Sequence, residues 1–127
     1  MTAPSLIREY DISASSTPTF GRVLCSARTH HFIIDGPVQN GCPGEEVTPP
    51  EAFLASIAAC GVELVHVIAR DEKIAIDSVN VRVHGVVDRG NQKRTDATTF
   101  TRVELDFEVA GTDHARATSL VEAFKRR

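Results

Sequence analysis

The stretch TPPEAFLASIAACGVELVHV, residues 48–67, constrains the fold more than any other part of the chain. Thr48, Pro49, Pro50 and Glu51 spell a helix start: a capping hydroxyl, a proline whose missing N–H would be unsatisfied there anyway, and a glutamate placed to complete a capping box with Thr48. Apolar residues then recur at three- and four-residue intervals, which predicts a helix running to about residue 71. At about 1.5 Å per residue such a helix is about 35 Å long, enough to cross a small domain. The other elements are expected to be built around it.

At about 100° per residue, Phe53, Leu54, Ile57, Ala58, Gly61, Leu64, Val65, Val67 and Ile68 cover an arc of about 180°. Ser56, Glu63, His66 and Arg70, with the small Ala55 and Ala59, hold much of the opposite side. Cys60 falls at the border, and two roles are open to it: a small packed hydrophobe, or a thiol placed to react. A carboxylate one turn away, at Glu63, opposes thiolate formation. Activation would therefore need an arginine or a helix end from elsewhere, since this helix's own start is more than two turns off. The small residues allow another backbone to approach closely, so a second subunit is the expected cover.

Strand character is read at residues 6–13 and at about 20–34, the latter as two strands around a turn, before a Gly- and Pro-rich loop, DGPVQNGCPGEEVTPP. After the long helix, Val79, Val81 and Val83 alternate with Asn80, Arg82 and His84. Val103, Leu105, Phe107 and Val109 alternate with Arg102, Glu104, Asp106 and Glu108, which predicts antiparallel partners with one wet face. The connection at 88–97 is polar and mobile in composition. TDHARATSLVEAFKRR reads as a capped amphipathic helix, with Ala117, Leu120, Val121 and Phe124 on one side, still running where the sequence stops. The expected fold is α+β, a single domain over 1–127 with antiparallel sheets on a long central helix and a second helix at the C-terminal end.

Lys and Arg number 14 against 17 Asp and Glu, with no basic stripe interleaved with aromatics, so neither nucleic acid nor an anionic membrane is the expected partner. The first twenty residues lack a secretory signal's pattern and no stretch is read as approaching a membrane span, so the expected location is cytoplasmic. Three cysteines without a CxxC make no disulfide framework. His30, His31, His66, His84 and His114 are scattered without ligand spacing, and no serine sits in a nucleophile elbow; no metal and no cofactor are expected.

DGPVQNG…TPPEAFLASIAAC resembles the signature of the OsmC-like family, in which an Asp-x-Pro and a glycine-rich loop lead through Pro-x-Glu to an Ala-rich helix ending in Ala-Cys. The match is good over residues 35–60, and the strand order around it agrees. The resemblance implies an intertwined α+β homodimer with its long central helices packed together. It also implies the chemistry of peroxiredoxin-like stress-response oxidoreductases, in which a first cysteine attacks a hydroperoxide, an arginine and a glutamate assist, and a second cysteine resolves the sulfenic acid.

Carried over by position, the peroxidatic cysteine is Cys60, the glutamate Glu51 and the arginine Arg22 in FGRV, with Arg28 as second choice. The family's hydroperoxide-resistance branch places its glutamate directly after the proline, where this chain has Pro50; capping is the competing role for Glu51, and a solvated surface position for Arg22. The usual second cysteine would begin about where EAFKRR ends the sequence. Resolution is thus expected from Cys42, on a flexible loop near the helix start, or from an external thiol reductant, with Cys25 packed in a strand. Two functions follow: thiol-dependent reduction of a small organic hydroperoxide, or a non-enzymatic homodimer that binds a small apolar ligand beside an unreactive Cys60.

Overall fold

The helix announced at Thr48 is present: in the computed structural model, which describes residues 6–127, helix α1 spans Pro49–Asp71. It ends without a glycine. Lys73 takes the left-handed conformation, φ 59°, and the amides of Lys73 and Ile74 close on the carbonyls of Arg70 and Ala69 at 3.2 and 2.8 Å.

The chain divides into two compact units, one ending at Ala52 and the other Phe53–Arg127. In the first, strands β1 (Ile12–Ser16), β2 (Arg22–Ala27) and β3 (His30–Asp35) form an antiparallel sheet in that order. The segment read at 20–34 is indeed two strands around a turn, with Arg28 at φ 55°. The first strand lies further along than the expected 6–13. Its pairing starts at Ile12↔Ala27, where β2 itself gives way to the turn.

In the second unit, β4 (Ser78–Val86) pairs antiparallel with β5 (Arg102–Ala110), and helix α2 spans His114–Lys125. The expected alternation holds along both strands: Val79, Val81 and Val83 face Val109, Phe107 and Leu105 across the ladder, and every residue between them is exposed. That apolar face meets the C-terminal half of α1 and one side of α2. Val65, Ile68, Ala69, Val79 and Leu120 form the buried core, with Val81, Phe107, Val109 and Phe124 packed around it. Gly61 lets helix and sheet come this close, because a Cβ there would lie 3.2 Å from the Phe107 ring. Asp113 caps α2 by accepting the Arg116 N–H at 2.8 Å. The helix closes at Lys125 rather than running to the last residue.

One expectation is overturned. The sequence suggests no stretch approaching a membrane span, yet α1 has 23 residues, and an 18-residue stretch within it has a mean hydropathy of 2.0, long and apolar enough to cross a membrane. Helical periodicity treats Ala55, Ala59 and Cys60 as breaks in the apolar arc, whereas hydropathy counts all of them as apolar. Burial within the unit is confined to Gly61, Val65, Ile68 and Ala69, all in the second half of the helix.

The connection between β4 and β5 is tied down despite its polar composition. Gln92 donates to the carbonyls of Asp88 and Thr99 at 2.7 and 3.1 Å and accepts the Thr99 N–H at 2.8 Å. The Thr101 N–H then reaches Val86 O at 2.7 Å, delivering Phe100 onto the ring of Phe53.

Candidate functional site

Cys60 lies exposed on α1, so it does not fill a gap in the core of its unit. Phe53 stands seven residues earlier and Val67 seven later, placing all of them within about 40° of one helical face, beside the buried face rather than within it. Ser56, one turn before Cys60, is not a partner for the thiol: its hydroxyl donates to the Phe53 carbonyl at 2.6 Å. That local bond satisfies the Ser56 hydroxyl, while Glu63, one turn after Cys60, is an exposed carboxylate on the polar side of the thiol.

Arg22 opens β2 directly after a turn held by Thr17, whose hydroxyl reaches Thr19 O and Arg22 O at 3.2 and 3.0 Å. Directly across the ladder stands Asp35, the last residue of β3. Arg22 Nε and Nη2 donate to Asp35 Oδ1 and Oδ2 at 2.8 and 2.9 Å, a bidentate pair, and Nη2 also reaches Glu45 Oε1 at 2.9 Å. Asp35 is wholly buried and also accepts the backbone N–H groups of Glu45 and Glu46 at 3.0 and 2.9 Å. The Arg22 guanidinium, with those amides, holds the Asp35 carboxyl far below the usual carboxylate range, and the two carboxylates push Arg22 further up. Arg22 is therefore held within its own unit through Nε and Nη2, with 28% of its side chain exposed, rather than standing as a freely solvated surface arginine.

Asp35 received no role from the sequence beyond its place in the Asp-x-Pro motif. The signal was available in the hairpin: counting outward from the turn at Arg28 and Thr29 sets Arg22 against Asp35. Arg28 itself sits exposed at the tip of that hairpin.

Glu51 serves the helix start. Its Oε1 accepts both the Thr48 N–H, at 3.0 Å, and the Thr48 hydroxyl, at 2.7 Å, which together hold its carboxyl below the ordinary glutamate range. The capping box is thus formed from one side only, with the threonine hydroxyl donating to the glutamate.

Cys42 occupies an ordered position. A Cβ on either Gly21 or Gly36 would collide with its side chain, so the thiol sits in a notch between those glycines; Gly21, at φ 81°, also has a backbone that favours glycine. The Gly36 N–H to Gly21 O bond, 2.8 Å, and the Gly44 N–H to Gly36 O bond, 3.1 Å, hold the notch together. Cys25 is buried, at 6% exposure, opposite Phe32 and Ala14. Among the described residues no three His, Cys, Asp or Glu side chains converge as metal ligands. The structure therefore brings Arg22 to Asp35 and Glu45, Glu51 to Thr48, and Cys42 to its glycines, rather than linking these candidates to one another.

The family model for OsmC-like proteins matches residues 42–127. No curated protein matches the chain. Among solved structures, an OsmC-like protein from Mycoplasma pneumoniae superposes with a TM-score of 0.78 at 18% identity, over 94% of this chain and 82% of that one. An organic hydroperoxide resistance protein from Elizabethkingia anophelis gives 0.75 at 16% identity, over 97% and 85%. A protein from Vibrio cholerae described in the same terms, with captopril bound in one of its active sites, gives 0.68 at 19% identity, over 96% and 81%. At these identities the likeness is one of fold.

Proposed function

From the premise that this chain belongs to the family of OsmC-like redox proteins, we propose that it reduces organic hydroperoxides through Cys60 and is regenerated by an external thiol. The observation that carries this reading is an exposed cysteine at the border of an apolar helical face, within the segment that matches the family. The Cys60 thiolate attacks the terminal peroxide oxygen, the O–O bond breaks, and the departing alkoxide takes a proton to leave as the alcohol. Cys60 is left as a sulfenic acid. One external thiol condenses with it to a mixed disulfide and water, and a second thiol displaces Cys60 as thiol and leaves as disulfide. Each turn consumes one hydroperoxide and two thiol equivalents.

An external reductant suits the notched seat of Cys42, which makes that cysteine a poor mobile resolving thiol. Arg22 and Glu51 act here as positioning residues, fixing the loop that leads into α1 and the first turn of the helix. The functional unit is a cytoplasmic homodimer, a second copy covering the apolar surface of α1, where only 22% of the residues of an apolar 18-residue stretch are buried within the chain. The test is hydroperoxide consumption with dithiothreitol and with a monothiol, on the native protein and on Cys60→Ser, together with trapping of the sulfenic acid. Turnover that survives in Cys60→Ser removes the proposal.

One observation favours a second reading, a non-enzymatic dimer that binds a small apolar ligand: Nε and Nη2 of Arg22 are already taken by Asp35 and Glu45, which leaves it less free to assist a thiolate. A co-purified apolar molecule together with an unreactive Cys60 would establish it.

A further inference from the structure

Two residues between β3 and α1 stand before a glycine and carry a side chain that can close on the next backbone nitrogen: Asp35 before Gly36, and Asn40 before Gly41. Glycine favours such a closure because it has no Cβ to crowd the approach. The structure separates the two positions. Asp35 is wholly buried, its carboxylate is taken up by Arg22, and the Gly36 N–H is bonded to Gly21 O at 2.8 Å. Asn40 and Gly41 are exposed, and the Asn40 side-chain amide has no hydrogen-bond partner among the described residues. A Cβ built on Gly41 would meet nothing within 4 Å, so there is room for a ring to close.

What restrains Asn40 is the backbone. Val38–Asn40 is a short 3-10 turn, and Gly41, at φ 75° and ψ 20°, closes it with its N–H on Val38 O at 2.9 Å. That proton must leave before the nitrogen can attack a carbonyl, so the bond holds the reaction back without covering the site. The Asn40 and Cys42 amides both reach Pro37 O, at 3.0 and 3.4 Å, and the Cys42 thiol lies 3.8 Å from Asn40 O. The turn is thereby linked to the seat of Cys42 between Gly21 and Gly36.

We propose that Asn40 is a site of spontaneous deamidation, gated by the bond between Gly41 and Val38, and that its conversion unseats Cys42. The Gly41 nitrogen gives up its proton and bonds to the side-chain carbonyl carbon of Asn40; the bond from that carbon to the side-chain nitrogen breaks, and ammonia leaves. Water then opens the resulting succinimide at either carbonyl, which gives aspartate or isoaspartate without oxidation or reduction. Isoaspartate lengthens the backbone before Gly41, and the tight turn and notch have no slack for it. Either product also adds a carboxylate to a loop that already carries Asp35, Glu45 and Glu46. The proposal stands apart from the hydroperoxide reading.

The experiment ages the native protein, and the same protein unfolded in urea, at mildly alkaline pH, and separates asparagine, aspartate and isoaspartate peptides by chromatography and mass spectrometry. Asn80, before Val81, and Asn91, before Gln92, serve as internal controls. In urea Asn40 is expected to convert first. In the native protein it is expected to convert at least about tenfold more slowly, because the turn must open, yet still ahead of both controls. Cys42→Ala, which empties the notch, is expected to raise the native rate and leave the rate in urea unchanged; Val38→Gly, which loosens the turn, serves where Cys42→Ala compromises folding. Ageing of the native protein is expected to speed Cys42 alkylation several-fold, and Asn40→Gln to abolish that gain. Equal rates in the native and unfolded protein overturn the gate. Conversion confined to the unfolded protein, or a control residue converting first, overturns Asn40 as the site. Full conversion with Cys42 alkylation unchanged overturns the unseating.

Discussion

Arg22 and Asp35 stand directly opposite each other on β2 and β3 and are joined by two hydrogen bonds of 2.8 and 2.9 Å, with the carboxylate wholly buried. The same carboxylate holds the amides of Glu45 and Glu46, so one side chain ties the hairpin to the loop that leads into α1. Its folded-state pKa lies far below that of an unfolded aspartate, about 3.9. A depressed carboxyl contributes stability that is complete above the unfolded value and is lost as pH falls through the folded one. The native protein should therefore hold its melting temperature down to about pH 4 and lose it steeply below. Asp35→Asn, which keeps shape and removes charge, should melt several degrees lower at neutral pH and show a flatter acid limb. Thermal melts from pH 7 to pH 2 check this; parallel curves would refute it.

Glu51 separates a capping role from a catalytic one. Glu51→Gln keeps an oxygen for the Thr48 N–H, whereas Glu51→Ala leaves that amide and hydroxyl without their acceptor. The expected result is a glutamine variant whose Cys60 alkylation rate lies within about twofold of native, and an alanine variant with a frayed first turn and a lower melting temperature. A glutamine variant slowed tenfold in peroxide reduction at unchanged stability would instead give the carboxylate a direct part in the reaction.

The elements whose periodicity follows a single rule were legible in the sequence. α1, β4, β5 and α2 each bury one face within the second unit, so spacing alone located them to within a residue or two. β1 was misplaced because a strand's limits are set by the partner it pairs with, and the alternation in residues 6–13 carries no information about where β2 ends. Cys60, Glu51 and Arg22 could be named by spacing, but their partners come from separate segments: Asp35 meets Arg22 across a hairpin and Glu45 meets it across a loop. The membrane-like hydropathy of α1 was missed because its small residues look like spacers on a helical wheel.

Leu120 carries α2. Its side chain is fully buried among Val65, Ile68 and Val79, and α2 has no other buried residue. Leu120→Ala should cost about 2–5 kcal/mol in urea-induced unfolding. Val121→Ala, at a partly exposed neighbour, should cost less than about half of that. Equal costs would mean that α2 is held mainly by something other than this core.

Gly61 sets two effects against each other. Alanine would gain about 1 kcal/mol of helix propensity, but its Cβ would sit 3.2 Å from Phe107, whose ring is backed by Phe124 at a centroid distance of 5.4 Å. To accept it the ring must shift by a few tenths of an ångström against Phe124, and overpacking of this kind costs about 1–3 kcal/mol. Gly61→Ala should therefore be slightly destabilising, and Gly61→Leu should fail to fold. Combining Gly61→Ala with Phe107→Leu should recover stability relative to the sum of the single changes, measurable as a coupling energy in a double-mutant cycle.

The three cysteines occupy three grades of access, which turns the redox proposal into an ordering. Cys60 is exposed, Cys42 is half-buried in its glycine notch, and Cys25 is buried. Treated with a small aromatic disulfide under native conditions and mapped by mass spectrometry, Cys60 should be modified first and Cys42 more slowly. Cys25 should react only as the β1-β2-β3 sheet opens, because its modification requires the strand pairs on both sides to separate. Cys42→Ser keeps the notch filled with a smaller atom and should leave the peroxide cycle intact with a monothiol, since the sulfenic acid is resolved from outside. If Cys42→Ser instead accumulates sulfenic acid on Cys60, and the native protein yields a peptide cross-linked between Cys42 and Cys60, then the notch opens during turnover and Cys42 is the resolving thiol.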